Sequence, residues 1–441
     1  MIRRSRILYC IASFIFFISS FGADSFAQGT LKSNRDLMRG IAEGVHDIIK
    51  NNFYDPSLKG IDWDKELRET QKKIDTCNSP GEMLAAIYWM ARKMDDSHTK
   101  FVPPWQTMEP RFGFQAKPFG DTVRVYKIKE KGPAERAGLL VGDTVLGIEG
   151  VVADRKNYFE TQFYYRFIQP AAIPVLDIER NGKRQRLEIS ADVHTRLAME
   201  TVYDFSRVFD AIREGETDYA ENPFESATVE GIGYVKLRNF IGSQVLRPKW
   251  RTLEDMAERS LWKVKGSRAL IIDVRGNPGG EIEDLQRFAG YLEKSETELF
   301  TATGRGKTQK ITAKPRQPSF SDVPIAVLVD SESASSSEIL ARHLQLSGRA
   351  VIIGDKTAGK VAGAQFFRQH IGTEAAVFYG AQTTVAHAVF PDGKDIEKAG
   401  VTPDLMCIPE AADLVAKRDP CRDLALTTLK AKLATGSSVQ K

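Results

Sequence analysis

The chain has 441 residues, enough for two or three domains, and with 42% apolar and 27% charged residues it can build a proper hydrophobic core. Its formal net charge of +4 is scattered without a long Lys/Arg block, so no nucleic-acid footprint follows from it. The four cysteines are too few for a disulfide scaffold, and their spacing without nearby His pairs argues against structural zinc, so neither a metal nor a cofactor is expected.

The N-terminus carries Arg3, Arg4 and Arg6, then a nearly unbroken apolar run from Ile7 to Phe21, then Ser25 and Ala27 ahead of Gln28. A positive start and small residues at the −3 and −1 positions read as a secretory signal peptide over residues 1–27. The apolar run, about 15 residues, is short of the roughly 20 that a spanning helix needs, which sets a retained anchor behind cleavage. The expectation is an exported protein, periplasmic or extracytoplasmic. In an oxidising compartment Cys407 and Cys421 are placed to pair across a short loop, which leaves Cys77 odd.

Residues 28–105 read as a helical domain. Leu37, Ile41, Val45, Ile48 and Ile49 recur at helical spacing, a second helix runs from Trp63 to about Ile74, and a third runs from Pro80 to Met94. The segment closes on Asp95 to Phe101, which includes His98. Residues 106–195 change to short β-rich runs such as Val123 to Tyr126 and Val175 to Ile178, separated by Gly and Asp turns. Gly132 to Leu139, then Val141-Gly142-Asp143, then Val145 to Gly150 give a short helix, a tight turn and a strand, and Glu179 to Lys183 reads as a hairpin turn. This segment resembles a PDZ domain, a module that takes an extended peptide as an added strand and often holds its C-terminal carboxylate. The resemblance implies that Gly113 and Phe114 belong to the substrate-binding loop.

Residues 196–230 are charged and uneven and read as a connector or lid. From 231 to 410 the pattern is βαβα, with strands at Ile232 to Leu237, Ala269 to Val274, Ile325 to Val329 and Ala350 to Ile353. Continuous apolar strands between helices indicate a sheet buried on both faces. Residues 411–441 read as a C-terminal helical tail.

The third strand of this core runs through Asp330 into Ser331-Glu332-Ser333-Ala334-Ser335-Ser336-Ser337-Glu338 and then a helix. N–H groups at a helix start are unpaired and partly positive, so a serine there is placed to attack a carbonyl whose oxyanion those N–H groups receive. Ser is also a favoured helix cap, so the cluster alone decides nothing. The fourth strand leads to Gly354-Asp355-Lys356-Thr357-Ala358-Gly359-Lys360, which fits the spacing of a phosphate-binding loop. Val361 then stands where that loop needs Ser or Thr for magnesium, which weakens a nucleotide reading. Joined, the two loops make better sense: Ser335 as nucleophile and Lys360 as base, 25 residues apart on the ends of successive strands. A lysine serves as base when a desolvated site keeps it neutral.

Taken together, Ser333 to Ile339, Gly348 to Val351, Gly354 to Lys360, Gly233-Tyr234-Val235, Asp273 to Gly280 and Gly400 to Asp404 resemble the C-terminal processing (tail-specific) peptidases, a family of Ser-Lys serine peptidases with a PDZ domain. The resemblance implies an α/β fold, with a crotonase/Clp-protease-like βαβ core, an N-terminal helical domain and an inserted PDZ domain. It implies Ser335 as nucleophile, Lys360 as base, and an oxyanion hole drawn from Gly279 or Gly280 with the N–H of Ser336. It further implies protein or peptide substrates with apolar C-termini, a PDZ domain that moves to open or close the site, and a homo-oligomer or an activating adaptor as possible assemblies. The pattern departs in three places. The family has glutamine four residues past the lysine, where this chain has Ala364 followed by Gln365; Ala358 stands where Phe is usual; and Gly372 to His387 departs from the family's strand. Gln365 is the candidate to orient Lys360 after a local bulge. The competing reading is a catalytically inactive, peptide-binding scaffold.

Overall fold

The computed structural model describes residues 20–104, 108–195, 223–240, 253–372 and 376–437. Most of the expected signal segment, residues 1–19, and most of the expected connector, residues 196–222, lie outside them. From Ser20 the backbone already runs in the first helix, α1 (Ser20–Asn52).

Helices α1, α2 (Trp63–Thr76) and α3 (Pro80–Arg92) form the N-terminal layer. Two of them start where the sequence supplies a cap: Asp62 accepts the N–H of Lys65, and Ser79 accepts that of Glu82 with Pro80 at the first helical position. The apolar stripe of Ile41, Val45, Ile48 and Ile49 buries against Trp63, Ile74, Met83, Ile87 and Met90. Strand β1 (Lys100–Val102) then leads out of this layer.

The second unit holds β2 (Met108–Arg111), β3 (Phe114–Phe119), β4 (Thr122–Ile128), α4 (Pro133–Arg136), β5 (Thr144–Ile148), β6 (Val151–Val152), α5 (Tyr158–Phe163), β7 (Val175–Arg180), β8 (Lys183–Glu188) and β9 (Asp192–Thr195). Its sheet has the order β3-β4-β5-β7-β8, which leaves β3 at one edge. Val123, Val125, Leu139, Val145, Leu176 and Ile178 form its core. The hairpin joining β7 to β8 turns on Asn181 and Gly182, both at positive φ, the backbone that a two-residue turn of matching twist requires.

The third unit holds β10 (Phe224–Val229), β11 (Ile232–Leu237), α6 (Leu253–Lys263), β12 (Ala269–Asp273), α7 (Ile282–Gly290), β13 (Thr297–Gly304), β14 (Lys307–Ala313), β15 (Ile325–Val329), α8 (Ser336–Leu346), β16 (Ala350–Gly354), β17 (Gly363–Ile371), β18 (Val377–Val389), β19 (Leu405–Met406), α9 (Ala411–Val415) and α10 (Pro420–Ser437). Its main sheet has the order β10-β11-β12-β15-β16-β19, parallel from β11 onward. β12 and β15 are buried at every residue. One face is covered by α6, α7 and α8 through Leu261, Leu285, Leu340 and Leu344. The other is covered by α10 through Cys421, Ala425 and Leu429. Both faces are thus closed, as a parallel sheet requires.

Two boundaries differ from the sequence reading. The sheet already begins with β10, antiparallel to β11, inside the stretch read as connector. The helical tail packs as a layer of the core, and a Cys407–Cys421 disulfide ties it to the end of β19. A second sheet joins the units: β18 pairs with β17, β13 and with β1 from the N-terminal layer. Gly372 to His387, unusual in sequence for the family, therefore still builds a long strand in its second half.

Candidate active site

Three loops leave the carboxyl ends of adjacent parallel strands β12, β15 and β16, the place where open α/β sheets gather their ligands. Asp330, at the end of β15, organises the first two. Its Oδ1 accepts the N–H groups of Gly276 (2.9 Å), Glu332 (3.0 Å) and Ser333 (3.1 Å), and its Oδ2 accepts Lys117 Nζ at 2.5 Å. Burial alone would raise its pKa, but Lys117 and these hydrogen bonds outweigh burial and hold the carboxyl below its usual range. Asn277 braces the same region: its amide donates to Leu237 O, its Oδ1 accepts the N–H of Gly279, and its carbonyl accepts Ala334 N–H and the Ser337 hydroxyl.

Ser335 stands at the entry of α8 with φ +53° and ψ −120°, a backbone that L residues rarely adopt. Such a strained turn between strand and helix thrusts a serine out of the chain. The turn is held because Ser335 N–H donates to Lys360 O at 2.8 Å, so the two loops are joined through their backbones. Gly279 is packed against this serine: a Cβ there would lie 2.5 Å from Ser335 Cβ. At Gly280, with φ +145°, a Cβ would lie 2.3 Å from Phe240 O. Only glycine fits either position.

The expected oxyanion donors differ in availability. The Gly279 N–H is taken by Asn277, whereas the N–H groups of Gly280 and Ser336 have no partner among the described residues. The Ser336 hydroxyl donates to Gly280 O at 2.9 Å and ties the glycine loop to the helix start.

Lys360 is placed differently from its backbone. Its Nζ lies 4.5 Å from the centroid of the Phe159 ring, on α5 of the second unit, and makes no hydrogen bond or ion pair among the described residues, none to Ser335 included. Lys100 Nζ approaches the same ring at 4.6 Å and pairs with Glu160 at 3.3 Å. Burial pushes Lys100 down to about 8, with Glu160 opposing. Burial, then the charge of Lys100, pushes His98 down to about 3, so this ring is neutral at physiological pH, and it shares a hydrogen bond with Ser97 at 2.8 Å.

Gln365 lies on β17 opposite Thr383; the register shift beside it, Gly363 opposite Ala386 and Ala364 opposite Thr384, sets the extra residue, Val385, on β18 and adds none to β17, so it is not the bulge that would bring Gln365 into the place of residue 364. Its side chain is exposed and makes no hydrogen bond to Lys360. His343 is buried on α8 and paired with Glu293 at 2.9 Å.

Sequence reasoning missed the carboxylates that frame the lysine loop. Glu397 accepts the N–H groups of Val361 (2.9 Å) and Ala362 (3.0 Å). Glu338 receives donors from both loops, and burial pushes it up to about 7. The only local signal for Glu338 was its position three residues past a helix cap.

Gly113 and Phe114 open β3; at Gly113, with φ +73°, a Cβ would meet Pro133 at 2.9 Å. The β3 edge is docked on the third unit. Besides Lys117 on Asp330, the Ser331 hydroxyl donates to Pro118 O at 2.5 Å, and Asp355 receives Gly120 N–H and Arg155, both at 2.9 Å.

Comparison with known proteins agrees with this arrangement. Residues 231–407 match peptidase family S41, and residues 110–191 match the PDZ domain. The chloroplast carboxyl-terminal-processing peptidase 2 of Arabidopsis thaliana is 27% identical over 81% of this chain and 66% of its own length. A carboxyl-terminal-processing protease of a Synechocystis species is 28% identical over 81% of this chain and 78% of its own. The chain thus spans about two thirds of the length of the Arabidopsis relative. Two solved structures share the fold. Mature CPAF complexed with lactacystin has a TM-score of 0.64 at 14% identity, covering 87% of this chain and 96% of that one. The photosystem II D1 C-terminal processing protease has a TM-score of 0.51 at 20% identity, covering 86% and 96%. The chain thus carries a peptidase family S41 region that spans both the serine and the lysine loops, with a PDZ domain ahead of it, and its curated relatives are carboxyl-terminal-processing peptidases.

Proposed function

We propose that this protein is an exported serine endopeptidase that cuts proteins near an apolar C-terminus, with Ser335 as nucleophile and Lys360 as general base. The observation that carries the proposal is the Ser335 turn: a serine at positive φ, heading a helix, whose own N–H is bonded to the carbonyl of Lys360. In the reaction, Lys360 Nζ acts as base and takes the hydroxyl proton as Ser335 Oγ bonds to the scissile carbonyl carbon. The carbonyl oxygen becomes an oxyanion, and the partnerless N–H groups of Gly280 and Ser336 are the donors proposed for it. The protonated lysine then gives its proton to the leaving amine, and water, deprotonated by the same lysine, releases the acyl group. Lys360 reaches the serine by side-chain rotation away from Phe159. Gln365 is proposed to orient the lysine in that second position. Gly113 and Phe114 are proposed to receive the substrate's end as an added strand on β3, which requires the docked edge to open.

Export rests on the N-terminal pattern of residues 1–27; among the described residues no helix is long and apolar enough to cross a membrane. Mature protein beginning at Gln28 in the extracytoplasmic fraction is the expected result of N-terminal sequencing. The catalytic proposal is tested with purified full chain, an unfolded protein bearing an apolar tail, and the variants Ser335→Ala and Lys360→Ala. Cleavage by the wild type and by neither variant supports it. Equal cleavage by all three contradicts the site. A wild type that binds the tail and never cuts it supports the scaffold reading.

A further inference from the structure

Glu338 sits one helical turn past Ser335 on α8, with no exposed surface. A buried carboxylate is costly unless it is satisfied. Among the described residues, no Arg or Lys side chain pairs with Glu338. Instead, Oε2 accepts the N–H groups of Ser335 (3.1 Å) and Lys360 (2.8 Å), while Oε1 accepts the N–H of Gly359 (2.7 Å) and the Thr357 hydroxyl. Helix capping accounts for the first of these contacts, because a glutamate three residues past a cap reaches back to the cap's N–H. It does not account for the other three, which come from the loop after β16. One oxygen thus receives the backbone N–H of both the serine and the lysine, and its sister oxygen fixes the two residues that lead into the lysine.

We propose that Glu338 is a positioning residue of this peptidase: its carboxylate sets the backbone of Ser335 against that of Lys360 in the one placement from which the lysine side chain can reach the serine hydroxyl. The proposal rests on the Ser-Lys reading given above. It assigns Glu338 a part in turnover beyond a part in folding. Glutamine at this position is nearly isosteric but turns one acceptor into a donor, so either the Ser335 and Lys360 pair or the Gly359 and Thr357 pair faces an N–H group. Aspartate keeps the charge and is one methylene too short to span both loops.

The test compares full-length wild type, Glu338→Gln, Glu338→Asp and Ser335→Ala on a fluorogenic peptide with an apolar C-terminus, with folding followed by circular dichroism and serine reactivity by the rate of fluorophosphonate labelling. In whichever glutamate variant folds, kcat falls about 100-fold, the cost of a small misplacement of reacting groups, and labelling slows in step. KM stays within about 3-fold, since uniform substrate binding is untouched. A folded glutamate variant with near-wild-type kcat overturns the proposal, as does a loss confined to KM. Failure of both variants to fold also overturns it, because Glu338 is then a folding residue. An inert Ser335→Ala beside an active Glu338→Gln removes this proposal alone. A Ser335→Ala that cleaves like wild type removes the Ser-Lys reading, and this proposal falls with it.

Discussion

The backbone of the Ser335 turn and the side chain of Lys360 belong to one proposed site but are held by different parts of the molecule. The turn is fixed wholly inside the third unit, by Lys360 O, Asn277 and Glu338. The lysine ammonium rests instead on Phe159 of the second unit, next to Lys100 and Glu160. Preorganised backbone groups cost nothing to arrange at the moment of reaction, so it suits the strained turn and the proposed oxyanion donors to be built in permanently. A lysine on a flexible four-carbon stem is cheap to move. The difference teaches that rigidity and adjustability are divided within the proposed site, with the adjustable member in contact with the unit proposed to receive substrate.

The largest expected effect breaks the pair itself. Lys360→Arg keeps a cation over Phe159 but cannot give up its proton, and Ser335→Ala removes the attacking oxygen; each lowers kcat/KM by at least about 1,000-fold in a peptide-cleavage assay, because members of such a unit fail together.

Next in size is the link between the units. Lys117→Met strips the cation from buried Asp330 and costs about 3 kcal/mol in urea unfolding at pH 7. Asp330 is depressed in the fold, so the stability it gains from the lysine is present above the unfolded carboxylate value and disappears as pH falls through the folded one. The gap between wild type and variant therefore narrows below about pH 4.

The frame is tested from its far side by Cys407→Ser with Cys421→Ser. Opening the loop that this disulfide closes, 14 residues in sequence separation, lowers stability in urea by about 3 kcal/mol. Cleavage at temperatures well below unfolding is retained, because α10 lies on the opposite face of the sheet from α8.

The smallest effect sharpens the comparison from the lysine's side. Phe159→Leu removes a cation–π contact worth about 1 kcal/mol and leaves Lys360 freer to visit Ser335, so kcat rises about 2- to 5-fold. An unchanged or lower kcat would show that the ring contact does not compete with catalysis.

Much of this was legible in the sequence, for local reasons. Helices α1 to α3 announce themselves by apolar spacing and by caps at Asp62 and Ser79, and β12, β15 and β16 by unbroken apolar runs. The serine and lysine loops could be found because each follows such a strand. The rest depends on contacts between distant segments. Strand β10 was hidden because Phe224 to Val229 is mostly exposed and pairs only along one edge. Gly372 to His387 follows no familiar pattern, yet its second half is drawn into a strand by partners on both sides, β17 on one and β13 and β1 on the other. Lys117 with Asp330, and Phe159 with Lys360, join residues about 200 positions apart, and no periodicity encodes such pairs. Glu338 was in plain view as a helix-cap partner; that it also receives the lysine loop follows only from the fold.

The central claim, that Ser335 is a nucleophile activated by Lys360, is tested most directly by peptide mapping after fluorophosphonate labelling of the full chain. A single covalent adduct on Ser335 is expected, formed at least about 100-fold more slowly in Lys360→Arg because the hydroxyl then lacks its base. An adduct on another residue, or labelling of Ser335 at the same rate without the lysine, would contradict it.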